Sequence, residues 1–262
     1  MNAFYAAFWA EALKARRAAV AWATAAAFLI LPLVGGLFMV ILKNPEQARA
    51  LGLISLKAQL TGGVADWPTF FSILTQGAAV GGSMVFAFIT AWVFGREFSD
   101  HTAKELLALP TPRTTIVGAK FLLTAPWILG LTLLLFAVAV GIGMAVDIPG
   151  WSLALAWGTL ASLLLTACLL LLLMPFVALA ASAGRGYLPP LGWAFATVAF
   201  AQIAVVLGCG DWFPWSVPAP ASGMGGASAQ ALALHSYLMV LLTAFIGVAA
   251  TFVWWQRADQ AR

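Results

Sequence analysis

Charge-free runs constrain this chain more than any other feature. Ala18–Leu42 is 25 residues without Asp, Glu, Lys or Arg, Trp67–Gly95 is 29, Phe121–Val146 is 26, Ile148–Gly184 is 37, Gly186–Gly210 is 25 and Trp212–Gln256 is 45. Each exceeds the roughly 20 residues that cross ~30 Å of hydrocarbon at ~1.5 Å per residue. In lipid the backbone must satisfy its own polar groups, which leaves helices and closed barrels. A barrel would alternate in segments of about ten residues, whereas these runs are continuous. The fourth run opens on the turn pair Pro149-Gly150, and the last begins with a stretch rich in Pro, Gly and Ser. Trimmed accordingly, the predicted spans are about 18–42, 69–95, 121–146, 153–181, 187–209 and 232–255. The expected fold is an all-α polytopic membrane protein with six transmembrane helices, 1–262 forming a single transmembrane domain.

Composition closes off other classes. Charged residues make up 8% of the 262, and hydrophobic ones 63%, where soluble domains carry about 25% charge. A globule of this size has too little interior to hide so much apolar surface, so a soluble enzyme, a disordered chain and a nucleic-acid binder are excluded. The basic residues set an orientation by the positive-inside rule. With the N-terminus inside, Lys14, Arg16, Arg17, Arg96, Lys104, Arg113, Lys120, Arg185, Arg257 and Arg262 lie on the cytoplasmic side, and Lys43, Arg49 and Lys57 outside. Both termini are then cytoplasmic. Trp9, Trp67, Trp92, Trp127, Trp151, Trp212, Trp215, Trp254 and Trp255 fall near span ends, where an aromatic belt belongs. The first run is longer than the 7–15 residues of a signal-peptide core and reads as a retained span. Cys168 and Cys209 fall at different depths, too far apart for a disulfide, and read as small packing residues.

Four segments outside the spans have a pattern. Residues 1–17 carry Phe4, Tyr5, Phe8, Trp9 and Leu13 at helical spacing, with Glu11, Lys14 and Arg17 elsewhere; this predicts an interfacial helix at the inner surface. In 43–68, Asn44, Pro45 and Gly62-Gly63 predict the start and stop of a helix outside the membrane. The aromatic loop 210–231 fits a mouth or lid, and equally a passive connector. The fourth segment, 96–120, is the most informative. Thr102-Ala103-Lys104-Glu105 has the Thr-x-x-Glu spacing of a capping box ahead of Leu106-Leu107, predicting a short helix from 103 to about 108, ended by Pro110. Thr111 then caps a helix with Pro112 in its first position that runs into the third span. Leu106, Leu107 and Leu109 either present a docking surface or fold back on the protein's own helix ends.

This elbow resembles that of type-2 ATP-binding-cassette exporter permeases, in the branch with bacitracin-resistance and lantibiotic-immunity permeases. The matching positions are Arg96-Glu97, Thr102, Leu106-Leu107, Pro110, Arg113 and Lys120. His101 stands where the family often has Gly, which puts a left-handed turn there in question. The resemblance extends over the whole chain: an N-terminal interfacial helix, six spans, both termini inside. It implies that Arg96, Glu97, Thr102, Glu105, Leu106, Leu107, Arg113 and Lys120 form a helix coupled to a separate ABC ATPase subunit. It further implies two permease copies, a homodimer, with two ATPase copies that bind ATP and Mg, in the bacterial cytoplasmic (inner) membrane.

The chain has no Gly-x-x-x-x-Gly-Lys-Ser/Thr and no His-Glu-x-x-His, so no catalytic residues, metal site or cofactor of its own are expected. The spans contain no ionisable group at their cores, which argues against an ion or proton path. The neutral groups Gln76, Ser83 and Gln202 are the candidate substrate pathway, suited to an amphipathic or lipid-like compound; the other Ser and Thr residues read as helix–helix contacts. Gly77 to Gly81 is a small-residue stripe that fits close helix packing. A non-transporting scaffold, a sensor subunit and a membrane-embedded enzyme remain the alternatives to a permease.

Overall fold

The computed structural model describes residues 3–44, 64–108, 110–223 and 232–257. Among these residues it is helical throughout: α1 (Ala3–Arg17), α2 (Ala19–Lys43), α3 (Trp67–Ser99), α4 (Ala103–Ala108), α5 (Arg113–Ala145), α6 (Leu153–Ala183), α7 (Leu188–Val206), α8 (Pro218–Ala221) and α9 (Leu234–Arg257). Two single 3₁₀ turns, Gly210–Trp212 and Pro214–Ser216, precede α8. Six of the helices, α2, α3, α5, α6, α7 and α9, are long and apolar enough to cross a membrane. The expected helix in 43–68 falls largely on residues outside those described.

The six helices do not share burial equally. In α3, 61% of the most apolar stretch is buried, and in α6 56%, against 28–33% in the other four. So α3 and α6 pack along each other as the axis of the bundle. α9 lies on α6, α2 on α3 and α5, and α7 spans α3 and α6. Close approach is set by glycine at particular points. A Cβ on Gly143 of α5 would collide with the indole of Trp67, so that ring can lie flat on the α5 backbone.

The tryptophans do not form an interfacial belt throughout. Trp67 and Trp255 are each 1% exposed. Trp67 packs against Phe70, Phe71 and Trp151, and Trp255 Nε1 donates to Ser182 Oγ at 2.9 Å. These rings close helix ends against each other, a role that large amphipathic side chains fill as well as interfacial anchoring. Both cysteines are exposed, not packing residues as expected. The buried threonines Thr75, Thr90, Thr124 and Thr132 each donate to the carbonyl four residues back. Their hydroxyls are satisfied within their own helices and are not interhelical ties; Thr251, which also donates to Pro175 O at 3.2 Å, is one that reaches across.

At one end of the bundle the chain passes α3–α4–α5, α6–α7 and the end of α9, with α1 laid across it. The opposite end gathers the start of α3, the end of α5, the start of α6 and the segment 210–221. That segment is no passive connector. Pro214, Ser216, Val217 and Pro218 are buried, and the segment packs on α6, α7 and α9. Its irregular backbone is thereby covered by protein, as membrane depth requires.

The elbow, the polar cavity and the family they belong to

The turn into the elbow is a Schellman motif. α3 ends with His101 N–H donating to Phe98 O (3.3 Å) and Thr102 N–H to Glu97 O (2.9 Å). This pairing of the last carbonyls demands a left-handed residue at the position after the cap. His101 takes it, at φ 59°, so the histidine does adopt the turn that glycine usually makes. α4 then covers Ala103–Ala108, the helix predicted from the capping pattern. α5 starts at Arg113, with Pro112 in the cap position (φ −56°, ψ 135°) and no side-chain cap, one residue later than the sequence reading. Proline fits there because its fixed φ and missing N–H cost nothing at a helix start.

Beneath the turn lies a cluster of charges that sequence spacing did not assemble. Lys120 Nζ donates to Glu97 Oε2 at 2.8 Å, to Val93 O at 2.7 Å and to Glu11 Oε2 at 3.2 Å. All three ammonium protons therefore have acceptors. Arg96 Nη2 reaches Glu97 Oε1 at 3.0 Å and Glu11 Oε2 at 3.5 Å, and its guanidinium lies 4.4 Å above the Trp92 ring. Lys14 Nζ completes the group, 2.8 Å from Glu11 Oε1 and 3.4 Å from Glu97 Oε1. The side chains of Lys120, Glu97, Glu11 and Arg96 are 0%, 2%, 4% and 12% exposed; only Lys14 reaches solvent. Buried charges persist where every lone pair and proton is matched, and here the matching joins α1, α3 and α5.

Several sequence-based roles change accordingly. The main partner of Glu97 is Lys120, Arg96 assists, and Arg113, placed with them in the coupling helix by the resemblance, turns elsewhere. Arg113 Nη1 donates to Trp255 O (3.1 Å) and Gln256 O (3.3 Å), carbonyls that the end of α9 leaves without helical partners. Lys120 and Glu97 are interior, so they hold the elbow's base and have no face to offer a second protein. Leu106 is half-buried and packs on the core, as in the fold-back alternative. The side chain of Leu107, and Leu109, lie outside the described residues. Thr102, Lys104 and Glu105 are exposed on the elbow. Glu11 was missed because its place off the aromatic face of α1 says nothing of what covers it. Tyr5 and Trp9 do face outward, but α5 covers the opposite side of α1.

Gly95 fixes the elbow from a third direction. A Cβ there would stand 2.9 Å from Gly186 O, so α3 passes in contact with the α6–α7 turn. Arg185, in that turn, adopts φ 52° in a second Schellman closure, with Gly186 N–H donating to Ala181 O at 3.2 Å.

About halfway along the bundle, α3, α6 and α7 part around a cavity of about 250 Å³, roofed by Trp215, Ser216 and Pro218–Pro220. Val80, Ser83 and Met84 line it from α3, Leu173, Met174 and Val177 from α6, and Thr197, Ala201 and Gln202 from α7. No titratable side chain is among the lining residues. Two of the three pathway candidates, Ser83 and Gln202, meet here. Gln76 does not: it lies on α3 outside the cavity, its Nε2 donating to Ser72 Oγ at 2.7 Å. The small-residue stripe beside it divides. Gly77 receives Leu31 of α2, and a Cβ at Gly81 would meet nothing within 4 Å.

An apolar helical bundle, a rigid charged elbow at one end and a neutral cavity at mid-depth suit a transporter's membrane subunit, and the sequence match decides it. Residues 7–202 match the ABC-2 family transporter protein family. The chain belongs to the ABC-2 transporter family. A relative within reach is the "Bacitracin transport permease protein BCRB" of Bacillus licheniformis, 25% identical over 182 residues, covering 68% of this chain and 85% of the relative. No solved structure matches the chain. As an ABC-2 permease it is a multi-pass membrane protein, and membership implies an ABC ATPase as its partner. Permease domains of this family typically lack ATPase activity themselves.

Proposed function

We propose that this ABC-2 permease is the membrane subunit of an ATP-driven exporter in a bacterial cytoplasmic membrane. Its elbow end and both termini face the cytoplasm. It moves an amphipathic or hydrophobic compound, a peptide antibiotic in the first instance, out of the cytoplasm or inner leaflet. It works as a homodimer with two copies of an ABC ATPase that hold ATP and Mg. The observation that carries this reading is the elbow: a short helix, Ala103–Ala108, exposes Thr102, Lys104 and Glu105 on a base locked by the buried Lys120–Glu97 pair. A polar surface on a rigid mount suits docking and the transmission of movement, whereas a loose loop would absorb it. The cavity supports the substrate class. Its walls are thioether, aliphatic and indole groups with the neutral donors Ser83 and Gln202, a lining that favours apolar parts of a molecule and disfavours bare charge. The named relative is a bacitracin transport permease, so bacitracin is the first compound to test.

The deciding experiment is co-purification of the ABC ATPase with the parent and with the Lys104→Glu, Glu105→Lys double variant, at equal membrane abundance. Both side chains are exposed on the elbow, where substitution usually changes stability by less than ~0.5 kcal/mol, and the double variant should lose the ATPase. The parent complex should also raise the bacitracin concentration that stops growth. An ATPase retained equally by both proteins would remove the docking role of the elbow. Growth unaffected by expression, across bacitracin and a panel of other peptide antibiotics, would remove the substrate class.

A further inference from the structure

α1 is a surface helix by its aromatic side, yet its only acidic residue is turned inward. Glu11 is the one α1 side chain that reaches both other helices of the charged cluster: Lys120 Nζ on α5 at 3.2 Å and Arg96 Nη2 at the end of α3 at 3.5 Å. The second contact between α1 and α5 is steric. A Cβ on Gly118 would stand 3.3 Å from Phe4 Cε2, so two residues before Lys120 the α5 backbone lies directly under the N-terminal helix. Two acids face three bases in this group, Glu11 and Glu97 against Lys14, Arg96 and Lys120. Without Glu11, three cations would share one carboxylate in a site that excludes water, and the group would come apart.

We infer that Glu11 is a positioning residue that makes α1 part of the elbow, so that the N-terminal helix and the α3–α4–α5 turn move as one body when the ATPase acts. This rests on the exporter reading above, and it assigns α1 a role other than anchoring the chain at the membrane surface. The aromatic side, with Tyr5 and Trp9 more than half exposed, slides in the interface while the Glu11 side carries the load. A movement started at α4 therefore reaches the start of α2 through α1 as well as reaching the spans through α3 and α5.

The test uses the full chain in membranes with its co-purifying ABC ATPase, in a Cys168→Ala, Cys209→Ala background. Phe4→Cys and Gly118→Cys exchange a ring and an empty site for two thiols, joined by a short, reducible bis-methanethiosulfonate. Permease-dependent ATP hydrolysis is the rate of the complex less that of the ATPase alone. If α1 and the elbow stay together through the cycle, a link between them is silent in the parent. Glu11→Gln, which keeps the shape and removes the charge, lowers the rate several-fold and slows cross-linking, and the link restores the rate until it is reduced. A purely structural loss would not be recovered by one tether. A link that stops hydrolysis in the parent overturns the inference, because it means α1 moves against α5. So does a Glu11→Gln complex that hydrolyses and cross-links like the parent, or one whose loss the link leaves unrepaired. A permease that binds no ATPase at all would sink the exporter reading itself, a different result from an assembled complex indifferent to Glu11.

Discussion

Helix α3 carries two polar regions that solve opposite problems. Near its end, Arg96 and Glu97 belong to a group of five charged side chains, four of them nearly sealed from solvent and all of them matched. About 21 Å back along the helix, by the rise of ~1.5 Å per residue, Ser83 faces a cavity lined without a charge. The charged group has partners and no space; the cavity has space and few partners. Among the described residues no hydrogen bond engages the Gln202 amide, whereas every Lys120 donor is used. Saturation makes a joint that resists deformation, since each member is held by several others. Unused hydrogen-bonding capacity beside apolar walls makes a place where a passing molecule can be held and let go. The exporter proposed above would need both, and they are kept apart on one helix.

This contrast breaks most readily at Lys120. Lys120→Met leaves Glu11 and Glu97 buried with one fewer cation, and removing one partner of a buried ion pair costs about 3–5 kcal/mol. Thermal unfolding in detergent should shift strongly downward, and membrane abundance should fall. A variant as stable as the parent would mean that the cluster is hydrated and not the joint described. Glu97→Gln keeps one acceptor oxygen for Lys120 but leaves Lys14, Arg96 and Lys120 to the single carboxylate of Glu11. It should cost about 3 kcal/mol, the low end for a broken buried pair, and leave the ATPase bound, while lowering permease-dependent hydrolysis; unchanged coupling would confine the cluster to stability.

Arg113→Ala tests the elbow's tie to α9. Losing the donor to the Trp255 and Gln256 carbonyls should cost ~1 kcal/mol, the scale of a cationic helix C-terminal contact. Hydrogen exchange should speed up in the last turn of α9 and not in α5. Gln202→Leu is the smallest in stability and the sharpest in meaning. With no internal partner to lose, it should change stability by less than ~0.5 kcal/mol, yet alter the response of hydrolysis to bacitracin. A large loss of stability would show that the amide is structural, and the cavity would then lose its strongest candidate contact.

How far the sequence reached differs along the chain. The six spans, and the break at Ala18 (φ −82°, ψ 142°) between α1 and α2, were legible because length and hydropathy are properties of a local segment. The elbow helix was legible for the same reason: Thr102, Glu105 and Pro110 bound it by chemistry within a few residues. The three pathway candidates separate in the structure. Ser83 and Gln202 converge, but Gln76, picked by the same argument of an amide in an apolar span, bonds locally to Ser72. Side-chain type marked all three, and only helix rotation separated them.

What the sequence alone determined, then, is whatever is decided within a turn or two of helix: where each span runs, and where α4 starts and stops. A clue to Glu11 was present, since the chain has only 9 acidic residues and bases at span ends need partners, but nothing local said which. The tertiary structure decided that Glu11 and Lys120, 109 positions apart, share a hydrogen bond. It also decided that Arg113 crosses 142 positions to the end of α9 and that 210–221 folds in over the cavity. Burying a charge is costly enough that its partner must be found wherever the packing of whole helices brings one, and that packing is a property of all the helices together.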